Sequence, residues 1–208
     1  MSILASIVSL AVMATSTSQD MMVPSSAMEV KPLMKGAKAP DVKLTSSDGK
    51  MTSSLKSILN GKPTVVIFFR GVWCPYCNKH LMELGQIEGD LMKMGYQMVA
   101  ISPDKPDKTM MTGEKLKTHY RLFSDSKADA IKAFGVGFRV DDATFIKYRD
   151  EYKLNLEEWS GMNHHVLPVP SVFIIDKKGM IQFSQHNADY KVRMNGAEVL
   201  AAAKRSMM

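Results

Sequence analysis

Cysteine is scarce in this chain, with two residues among 208 positions, and there are only five histidines. Because a closed zinc site needs four ligands, these numbers do not favour a zinc-stapled fold. Basic residues are scattered without a run of five, although the formal net charge is +6, and aromatic residues do not alternate with them. A nucleic-acid-binding surface is therefore not predicted. The sequence also lacks a nucleotide, flavin or haem motif.

The N-terminal apolar run, residues 3–14, is shorter than the roughly 20 residues that a helix needs to cross a bilayer. It has the length of a signal-peptide core and is followed by small residues that suit cleavage. We expect residues 1–18 to be a signal peptide and the protein to be periplasmic or secreted. Because no Lys or Arg precedes the run, an uncleaved anchor or a disordered tail is the alternative. Residues 19–38 are predicted to be a linker, and residues 39–206 one folded domain.

The hydrophobic pattern of the domain changes its period along the chain. Residues 64–69 form a continuous run of β-branched and aromatic residues, which predicts a strand buried on both faces. Apolar residues then recur every three or four positions over 81–94 and predict an amphipathic helix. Residues 97–102 predict a second buried strand. Strand, helix and strand in this order require a right-handed crossover.

Shorter elements complete the pattern. They are a hairpin around 47–50, a helix at 54–59, a helix at 108–120, a strand at 121–123, a helix at 128–134, a helical stretch at 141–165, a hairpin at 171–184 and a helix at 197–205. A strand-helix-strand unit followed by a strand-strand-helix unit is the thioredoxin arrangement. The predicted fold is therefore α/β and thioredoxin-like, with a central mixed sheet flanked by helices, an N-terminal hairpin and a helical insertion before a late strand.

The two cysteines stand in Trp73-Cys74-Pro75-Tyr76-Cys77, between the first buried strand and the long helix. Unpaired backbone N–H groups and the helix dipole stabilise a thiolate at such a position. Pro75 suits the first turn, where its missing N–H costs nothing. We predict that Cys74 is an exposed attacking thiolate and that Cys77 is a buried thiol that resolves the intermediate, so that the pair exchanges two electrons. Trp73 either covers the thiol or packs in the core.

The sequence also allows other interpretations of the cysteine pair and of the methionines. The pair could be an inert disulfide, although so short a loop adds little stability, or half of a zinc site with histidines such as His164 and His165. The 18 methionines usually act as adaptable packing, but they could bind copper(I) or undergo sacrificial oxidation. A non-catalytic binding or metal-delivery protein is therefore a further alternative.

Four segments of the chain carry a resemblance to a known family. They are Phe-Phe-Arg-Gly-Val-Trp-Cys-Pro-Tyr-Cys at 68–77, Leu-Phe-Ser-Asp at 122–125, Leu-Pro-Val-Pro-Ser-Val-Phe-Ile-Ile-Asp at 167–176 and Asp-Tyr-Lys-Val-Arg at 189–193. Over residues 36–204 the chain resembles the peroxiredoxin-like branch of the thioredoxin-like superfamily, which contains alkyl hydroperoxide reductases and thiol-specific antioxidant proteins. The resemblance implies a thiol-based oxidoreductase that acts on protein disulfides or hydroperoxides. It also implies a thiol electron donor protein and no cofactor beyond a redox-active Cys74–Cys77 disulfide.

The resemblance implies roles for single positions as well. Pro170 stands where thioredoxin-like proteins place a cis-proline, which would lie against the cysteine pair and guide an extended substrate. A trans Pro170 that only starts a strand is the alternative. The Pro, Thr and Cys of the peroxiredoxin motif fall here on Arg70, Cys74 and Cys77, so the Thr is missing. The peroxide-polarising Arg of peroxiredoxins falls on Pro170. Arg70 or Arg193 could replace it, but we favour a salt-bridged surface position for each.

We accordingly predict a thiol-disulfide oxidoreductase, in which Cys74 attacks a substrate disulfide and Cys77 resolves the mixed disulfide. The alternative is a hydroperoxide reductase, in which one thiolate becomes a sulfenic acid and the other condenses with it. The expected supporting residues are Trp73, Pro75, Tyr76, Pro170 and Arg70. We expect His80 on an exposed helix face, with a role in tuning or protonating Cys77 as the alternative. His164 and His165 precede the expected cis-proline, and the sequence alone does not place them relative to the site.

Overall fold

The structure is a computed structural model that describes residues 23–117 and 119–207. Its strands are β1 (Lys43–Ser46), β2 (Thr52–Ser54), β3 (Thr64–Phe68), β4 (Gln97–Ser102), β5 (Arg121–Ser124), β6 (Gly137–Arg139), β7 (Val166–Pro168), β8 (Ser171–Ile175) and β9 (Ile181–His186). Seven of them form one mixed sheet in the order β2-β1-β5-β4-β3-β8-β9, and β6 pairs with β7 in a separate ribbon.

Helices flank this sheet, as the sequence predicts for a thioredoxin-like α/β fold. They are α1 (Leu55–Leu59), α2 (Pro75–Gln86), α3 (Glu88–Lys93), α4 (Pro106–Leu116), α5 (Asp129–Ala133), α6 (Asp142–Asp150), α7 (Leu156–Ser160) and α8 (Gly196–Arg205). The N-terminal hairpin is confirmed, because β1 and β2 pair antiparallel. The helical insertion is confirmed as well, since α6 and α7 precede β7 and β8.

Strand β3 is the central strand that the apolar run at 64–69 predicts. It pairs parallel with β4 and antiparallel with β8, and all five of its residues are buried. A strand with neighbours on both edges and helices on both faces must be apolar throughout. The parallel β3-β4 pair also confirms the predicted crossover.

Alternating side chains of β3 divide the interior into two cores. Val66 and Phe68 pack into one, where the ring of Phe68 lies 5.0 Å from that of Phe134. Val65 and Ile67 pack into the other, which contains both cysteines. The period of two in a strand therefore decides which face of the sheet carries the sulfur atoms.

The long helix predicted over 81–94 is divided in the structure. Helix α2 ends at Gln86 and α3 begins at Glu88, with Ile87 between them at φ −95° and ψ −2°. Gly85 and Gly89 flank this break, and glycine lowers helix stability by about 1 kcal/mol relative to alanine. Apolar residues still recur every three or four positions across the break, since both helices bury the same face.

The predicted linker is part of the folded domain from residue 23 onward. Val30 and Leu33 pack against the core, and the Leu33 N–H donates to the Phe134 carbonyl at 3.0 Å. The Arg139 N–H donates to the carbonyl of Pro24 at 2.8 Å. Apolar residues among the serines and lysines therefore hold this segment against the domain. The predicted signal peptide lies outside the described residues, and no helix that the structure describes is both long and apolar enough to span a membrane.

Candidate active site

The turn between β3 and α2 places both cysteines at the start of a helix, as the sequence predicts. Cys74 is the N-cap residue of α2, and its sulfur accepts a hydrogen bond from the Cys77 backbone N–H at 3.3 Å. Pro75 lies in the first turn, where its missing N–H leaves no helical hydrogen bond unmade. Both cysteines are free thiols. The sulfur of Cys74 therefore faces the positive end of the helix dipole.

Cys74 is not the exposed thiol that the sequence predicts. Only 2% of Cys74 and 0% of Cys77 are accessible to solvent. The side chain of Arg193 covers both, with its Nη2 atom 3.3 Å from the Cys77 sulfur and 3.9 Å from the Cys74 sulfur. Arg193 follows Cys77 by 116 positions, so a local argument about a helix start does not predict this cover.

The two thiols differ in acidity. A hydrogen bond from the Cys77 thiol, another from its backbone N–H and the charges of Arg70 and Arg193 lower the pKa of Cys74 to about 6, against the cost of burial. Burial and the neighbouring Cys74 sulfur raise the pKa of Cys77 well above its usual value. At neutral pH the pair therefore holds a thiolate on Cys74 and a proton on Cys77.

Neither arginine beside the sulfurs has the surface salt bridge that the sequence favours. The arginine ion pairs within 23–117 and 119–207 are those of Arg139 and Arg149. Arg70 is 4% exposed. Arg70 Nε and Arg193 Nη1 are buried donors without a hydrogen bond to another described atom. The site thus contains more positive charge than its carboxylates neutralise.

Among the described residues, Arg70 contacts aromatic side chains and not carboxylates. Its guanidinium lies 4.4 Å from the ring centre of Tyr190 and 5.1 Å from that of Trp73, and it donates to the Tyr148 hydroxyl at 2.9 Å. Cation–π contacts of this kind stabilise a desolvated guanidinium by about 2 kcal/mol each. Trp73 is half-buried and packs against the core that contains the cysteines, which agrees with the packing interpretation of this residue. Tyr76 is 41% exposed, and its ring meets Tyr190 edge-on at 5.7 Å.

The predicted cis-proline is wrong, because the peptide bond that precedes Pro170 is trans. Only Val169 and Pro170 separate β7 from β8, and the Val169 N–H donates to the Val136 carbonyl at 2.8 Å. The chain therefore passes extended from the small ribbon into the sheet, without the reversal that a cis bond introduces. Pro170 lines a small pocket that Arg193 also lines.

The expected exposure of His80 is also wrong. His80 is 6% exposed, and its Nε2 atom lies 2.8 Å from the Met194 carbonyl oxygen. Burial and the positive charge of Arg193 lower the pKa of His80 to about 4. A neutral His80 therefore donates from Nε2 to the carbonyl of the residue that follows Arg193, and holds that loop against α2.

The adjacent histidines bind to different groups, and His165 has a left-handed backbone conformation with φ +54°. His164 Nε2 lies 2.8 Å from the Ser126 carbonyl oxygen, and His165 Nε2 lies 2.8 Å from Glu157 Oε1. Both histidines line a small cavity that Trp73 also lines. The structure therefore places both histidines next to the tryptophan that precedes Cys74. Among residues 23–117 and 119–207, neither histidine forms a hydrogen bond with Cys74 or Cys77.

The sequence analysis missed Asp104. It follows β4, it is 1% exposed, and its Oδ2 atom accepts a hydrogen bond from the Val72 N–H at 3.3 Å. Burial, with a further contribution from the charge of Cys77, raises the pKa of Asp104 to about 8 against the hydrogen bond from Val72. The sequence contained a signal for Asp104. The carboxyl ends of parallel neighbours such as β3 and β4 meet at one edge of the sheet, so a residue that follows β4 is expected near the turn that follows β3.

Comparison with known proteins agrees with this architecture. The model of the AhpC/TSA family matches residues 35–184. The chain belongs to the AhpC/TSA family. As a member of this family with a cysteine pair at the helix start, it is a thiol-based oxidoreductase. In the part of the chain that the structure describes, no three or more His, Cys, Asp or Glu side chains are grouped to hold a metal ion.

Individual relatives come from bacteria and plants. The chain is 26% identical to chloroplastic Peroxiredoxin Q of Populus jackii over 153 residues, which are 74% of this chain and 60% of the relative. It is 29% identical to Peroxiredoxin Bcp of Escherichia coli K12 over 107 residues, which are 51% of this chain and 67% of the relative. The crystal structure of Peroxidoxin BcpB from Mycobacterium tuberculosis superposes with a TM-score of 0.63 at 19% identity and covers 83% of this chain and 97% of that one.

In this AhpC/TSA protein, replacing Gly71 by alanine is expected to destabilise the fold by about 3 kcal/mol. Gly71 has φ +145°, and an added Cβ would lie 2.8 Å from Trp73 Cδ1 and 2.9 Å from Asp104 Oδ1. Urea unfolding measures the loss. The control is Gly89→Ala on α3, where a Cβ meets nothing within 4 Å, and where about 1 kcal/mol of stabilisation is expected. Equal stability of both variants would contradict this account of the turn.

Asp104 is expected to make the stability of the protein fall as the pH rises. Its pKa is about 8 when folded, against an ordinary value of 3.8 in the unfolded chain, so between these values the folded state holds a proton that the unfolded chain has released. This contribution to the free energy of unfolding is complete below the unfolded pKa and disappears by the folded pKa. Asp104→Asn, which cannot ionise, should flatten the stability profile between pH 4 and 8 relative to wild type.

Urea unfolding across this pH range tests the expectation. The control is Asp107→Asn, whose carboxylate is exposed and pairs with Lys105 at 3.5 Å. The profile of this control should follow the wild type. If Asp104→Asn kept the wild-type slope, then Asp104 would not be protonated in the folded protein at neutral pH.

Proposed function

We propose that this protein is a thiol peroxidase in which the Cys74 thiolate reduces a hydroperoxide and Cys77 resolves the product. The observation that carries the proposal is the guanidinium of Arg193 against two buried sulfurs, one of which also feels the charge of a second buried arginine. Arg193 lies against both cysteine sulfurs, and Arg70, which contacts aromatic rings, also lowers the pKa of Cys74 through its charge. Buried donors without a carboxylate partner favour a thiolate, and they favour the negative charge that develops on a peroxide oxygen.

The chemistry follows from the acidity of the two thiols. The Cys74 thiolate attacks one peroxide oxygen, an S–O bond forms, and the O–O bond breaks to release an alkoxide or hydroxide that takes a proton from water. Cys74 is then a sulfenic acid. The Cys77 thiol attacks this sulfur, an S–S bond forms, and the hydroxyl leaves as water with the Cys77 proton. A thiol electron donor protein then reduces the disulfide by exchange.

The burial of Cys74 favours a small substrate. With 2% of the residue exposed, a hydroperoxide can reach the sulfur through a slight movement of Arg193, whereas a protein disulfide requires the cover to open. The AhpC/TSA membership and the relatives named peroxiredoxins support the same choice. Arg70 and Arg193 would supply the activation of the peroxide that the peroxiredoxin Thr and Arg supply, since Cys74 and Pro170 stand at those positions here.

A thiol-disulfide oxidoreductase is the second candidate. It is favoured by the Cys-Pro-Tyr-Cys sequence at the helix start, which allows a reversible disulfide between Cys74 and Cys77. The exposed ring of Tyr76 next to the pair offers a contact for an extended substrate. In this case the loop that carries Arg193 must move away before a mixed disulfide can form.

Two rates measured on the reduced protein distinguish the candidates. Oxidation by hydrogen peroxide is followed by stopped-flow fluorescence of Trp73, in a Trp159→Phe background because the chain has two tryptophans. Reduction of insulin disulfides is measured with the same preparation. A peroxidase oxidises far faster than free cysteine and reduces insulin slowly. Oxidation no faster than free cysteine would refute the peroxidase, and rapid insulin reduction would then establish the disulfide reductase.

We also propose that the protein is exported, with residues 1–18 as its signal peptide, and that the Cys74–Cys77 pair is its sole redox centre. The apolar run at 3–14 and the small residues after it support export. The N-terminal sequence of protein recovered from the periplasm or the medium tests this, since cleavage would remove the run. Protein that stays in the cytoplasm with its first residues intact would contradict export. If the cysteine pair is the sole redox centre, the purified active protein should have no visible absorption band, and a visible band would contradict this proposal.

A further inference from the structure

A small cavity lies between Trp73 and the helical insertion. Its walls include Trp73, Asp104, Leu156, Trp159, His164 and His165. Its volume is about 10 Å³, which is close to the roughly 10 to 15 Å³ that a single water molecule requires. The cavity adjoins the turn that leads into Cys74, yet neither cysteine lines it.

Two buried polar atoms in this wall have no partner among the described protein atoms. They are Nε1 of Trp73 and Nδ1 of His165. The Trp73 N–H is near enough to the Asp104 carboxyl to lower the pKa of that group, but it makes no hydrogen bond to it. An unmade hydrogen bond at a buried polar atom costs about 1 to 3 kcal/mol, so two of them beside one cavity indicate a shared partner.

The hydrogen bonds of the two histidines show which of them can take part. His164 uses both nitrogens, because Nε2 meets the Ser126 carbonyl and Nδ1 accepts from the Val166 N–H at 2.8 Å. His165 uses only Nε2, which donates to Glu157 at 2.8 Å. In a neutral imidazole the other nitrogen is then an acceptor. His165 Nδ1 therefore offers a lone pair to whatever fills the cavity.

We propose that the cavity binds one water molecule, which joins the Asp104 carboxyl and the Trp73 indole to the imidazole of His165. The water oxygen accepts from the Trp73 N–H, and its hydrogens are donated to His165 Nδ1 and to the Asp104 carboxylate. When Asp104 is protonated, its O–H donates to the water instead. A water with three protein partners is typical of buried sites, and both orphaned atoms are then satisfied.

The same chain of hydrogen bonds connects Asp104 with solvent. A proton on Asp104 passes to the water, the water gives a proton to His165 Nδ1, and the Nε2 proton passes to Glu157, whose side chain is 44% exposed. No bond other than O–H and N–H bonds is made or broken. In a reading that rests on the proposed function, Asp104 is close enough to Cys77 for the two groups to interact electrostatically, so this route carries protons away from the buried acid next to the resolving thiol.

Nuclear magnetic resonance of the resting, reduced protein tests the proposal without any peroxide. The two tryptophans give two indole N–H signals, and that of Trp159 is the internal reference. We expect a cross-peak between the Trp73 indole proton and a long-lived water. We also expect the Trp73 indole proton to exchange with deuterated solvent at least tenfold more slowly in His165→Phe, which keeps a ring to stack on Phe145, 3.9 Å away.

The direction in which the exchange rate of the Trp73 indole proton changes distinguishes a proton route from a role of His165 in packing alone. A variant that only loosens the structure would accelerate exchange, whereas loss of the route slows it. Glu157→Gln keeps an acceptor for His165 but lacks a basic carboxylate, and it should slow exchange as well. Glu158→Gln, at a neighbouring exposed carboxylate that pairs with Lys108 at 3.1 Å, should have no effect.

Absence of the water cross-peak, or exchange that is unchanged or faster in both His165→Phe and Glu157→Gln, would overturn the proposal. Because no turnover is measured, this outcome is independent of the peroxidase assay.

Discussion

Replacement of Cys74 by serine is expected to lower the rate of hydroperoxide consumption by more than about 1,000-fold, because the attacking thiolate is removed. The remaining thiol, Cys77, is fully buried and its pKa is raised well above the usual value. It is therefore protonated at neutral pH and is a poor nucleophile. Peroxide consumption with a small dithiol as the electron donor measures the effect.

Replacement of Cys77 by serine should have a different result. The Cys74 thiolate still reacts once with peroxide, but no neighbouring thiol condenses with the sulfenic acid, so the reaction stops after one equivalent per chain unless an external thiol intervenes. Mass spectrometry should find one added oxygen atom on Cys74, and a sulfenic-acid reagent should trap it. If Cys77→Ser formed no such species, or if Cys74→Ser kept most of the wild-type rate, the assignment of the two roles would be wrong.

The pH dependence of the first oxidation separates these effects further. In the wild type the rate should rise with pH and level off above the Cys74 pKa of about 6, because only the thiolate attacks. The hydrogen bond from the Cys77 thiol is the largest contribution that lowers this pKa. Serine at position 77 provides a different donor, so the midpoint of the rate profile should move. A profile that titrates near the usual pKa of a free thiol in wild type would contradict the structural account of Cys74.

The sequence predicted those parts of the fold that depend on local patterns. The apolar run at 64–69 must lie in the interior of a sheet, and the structure places it between β4 and β8. The change from a strand to a period near 3.6 places the cysteine pair at a helix start, which Cys74 occupies as the N-cap. Backbone sterics and burial decide these features within about 15 residues, which is the range of a sequence window.

Exposure of the site could not be predicted in the same way. Cys74, Arg70 and His80 are polar or reactive residues at or near a helix start, where local reasoning expects contact with solvent. All three are buried, at 2%, 4% and 6% exposure, because the loop before α8 and the insertion α6 fold over them. The cover is built from contacts between distant positions, such as Arg70 with Tyr148, which are 78 positions apart. Only the tertiary structure brings these groups together.

Pro170 shows the limit of a resemblance that is transferred position by position. The chain pattern around 167–176 matches the family, and β8 begins at Ser171 as that pattern implies. The bond before Pro170 is nevertheless trans, and the neighbouring ribbon holds Val169 by a hydrogen bond to Val136. Strands β6 and β7 have three residues each, too few for a hydrophobic period to reveal them.

Replacement of Arg193 by methionine is expected to lower the rate of peroxide oxidation by about 10- to 100-fold, because a charge-assisted hydrogen bond is worth roughly 1.5 to 3 kcal/mol. Methionine keeps the apolar stem over the sulfurs but lacks the guanidinium that lies 3.3 Å from Cys77 and 3.9 Å from Cys74. Arg193→Lys, which keeps the charge, should retain more activity. Arg139→Gln removes a surface arginine that pairs with Asp142 at 2.8 Å and should leave the rate unchanged.

A second measurement on Arg193→Met distinguishes lost charge from lost structure. The charge of Arg193 contributes to the low pKa of His80, which is about 4, so the His80 pKa should rise in Arg193→Met and stay low in Arg193→Lys. Both variants keep the hydrogen bond between His80 and the Met194 carbonyl, because it involves the backbone of the next residue. If the rate fell in Arg193→Met while the His80 pKa stayed at its wild-type value, the guanidinium would not act on the site through its charge. If His80 titrated higher but the rate were unchanged, Arg193 would be a cover for the thiols and not a part of the chemistry.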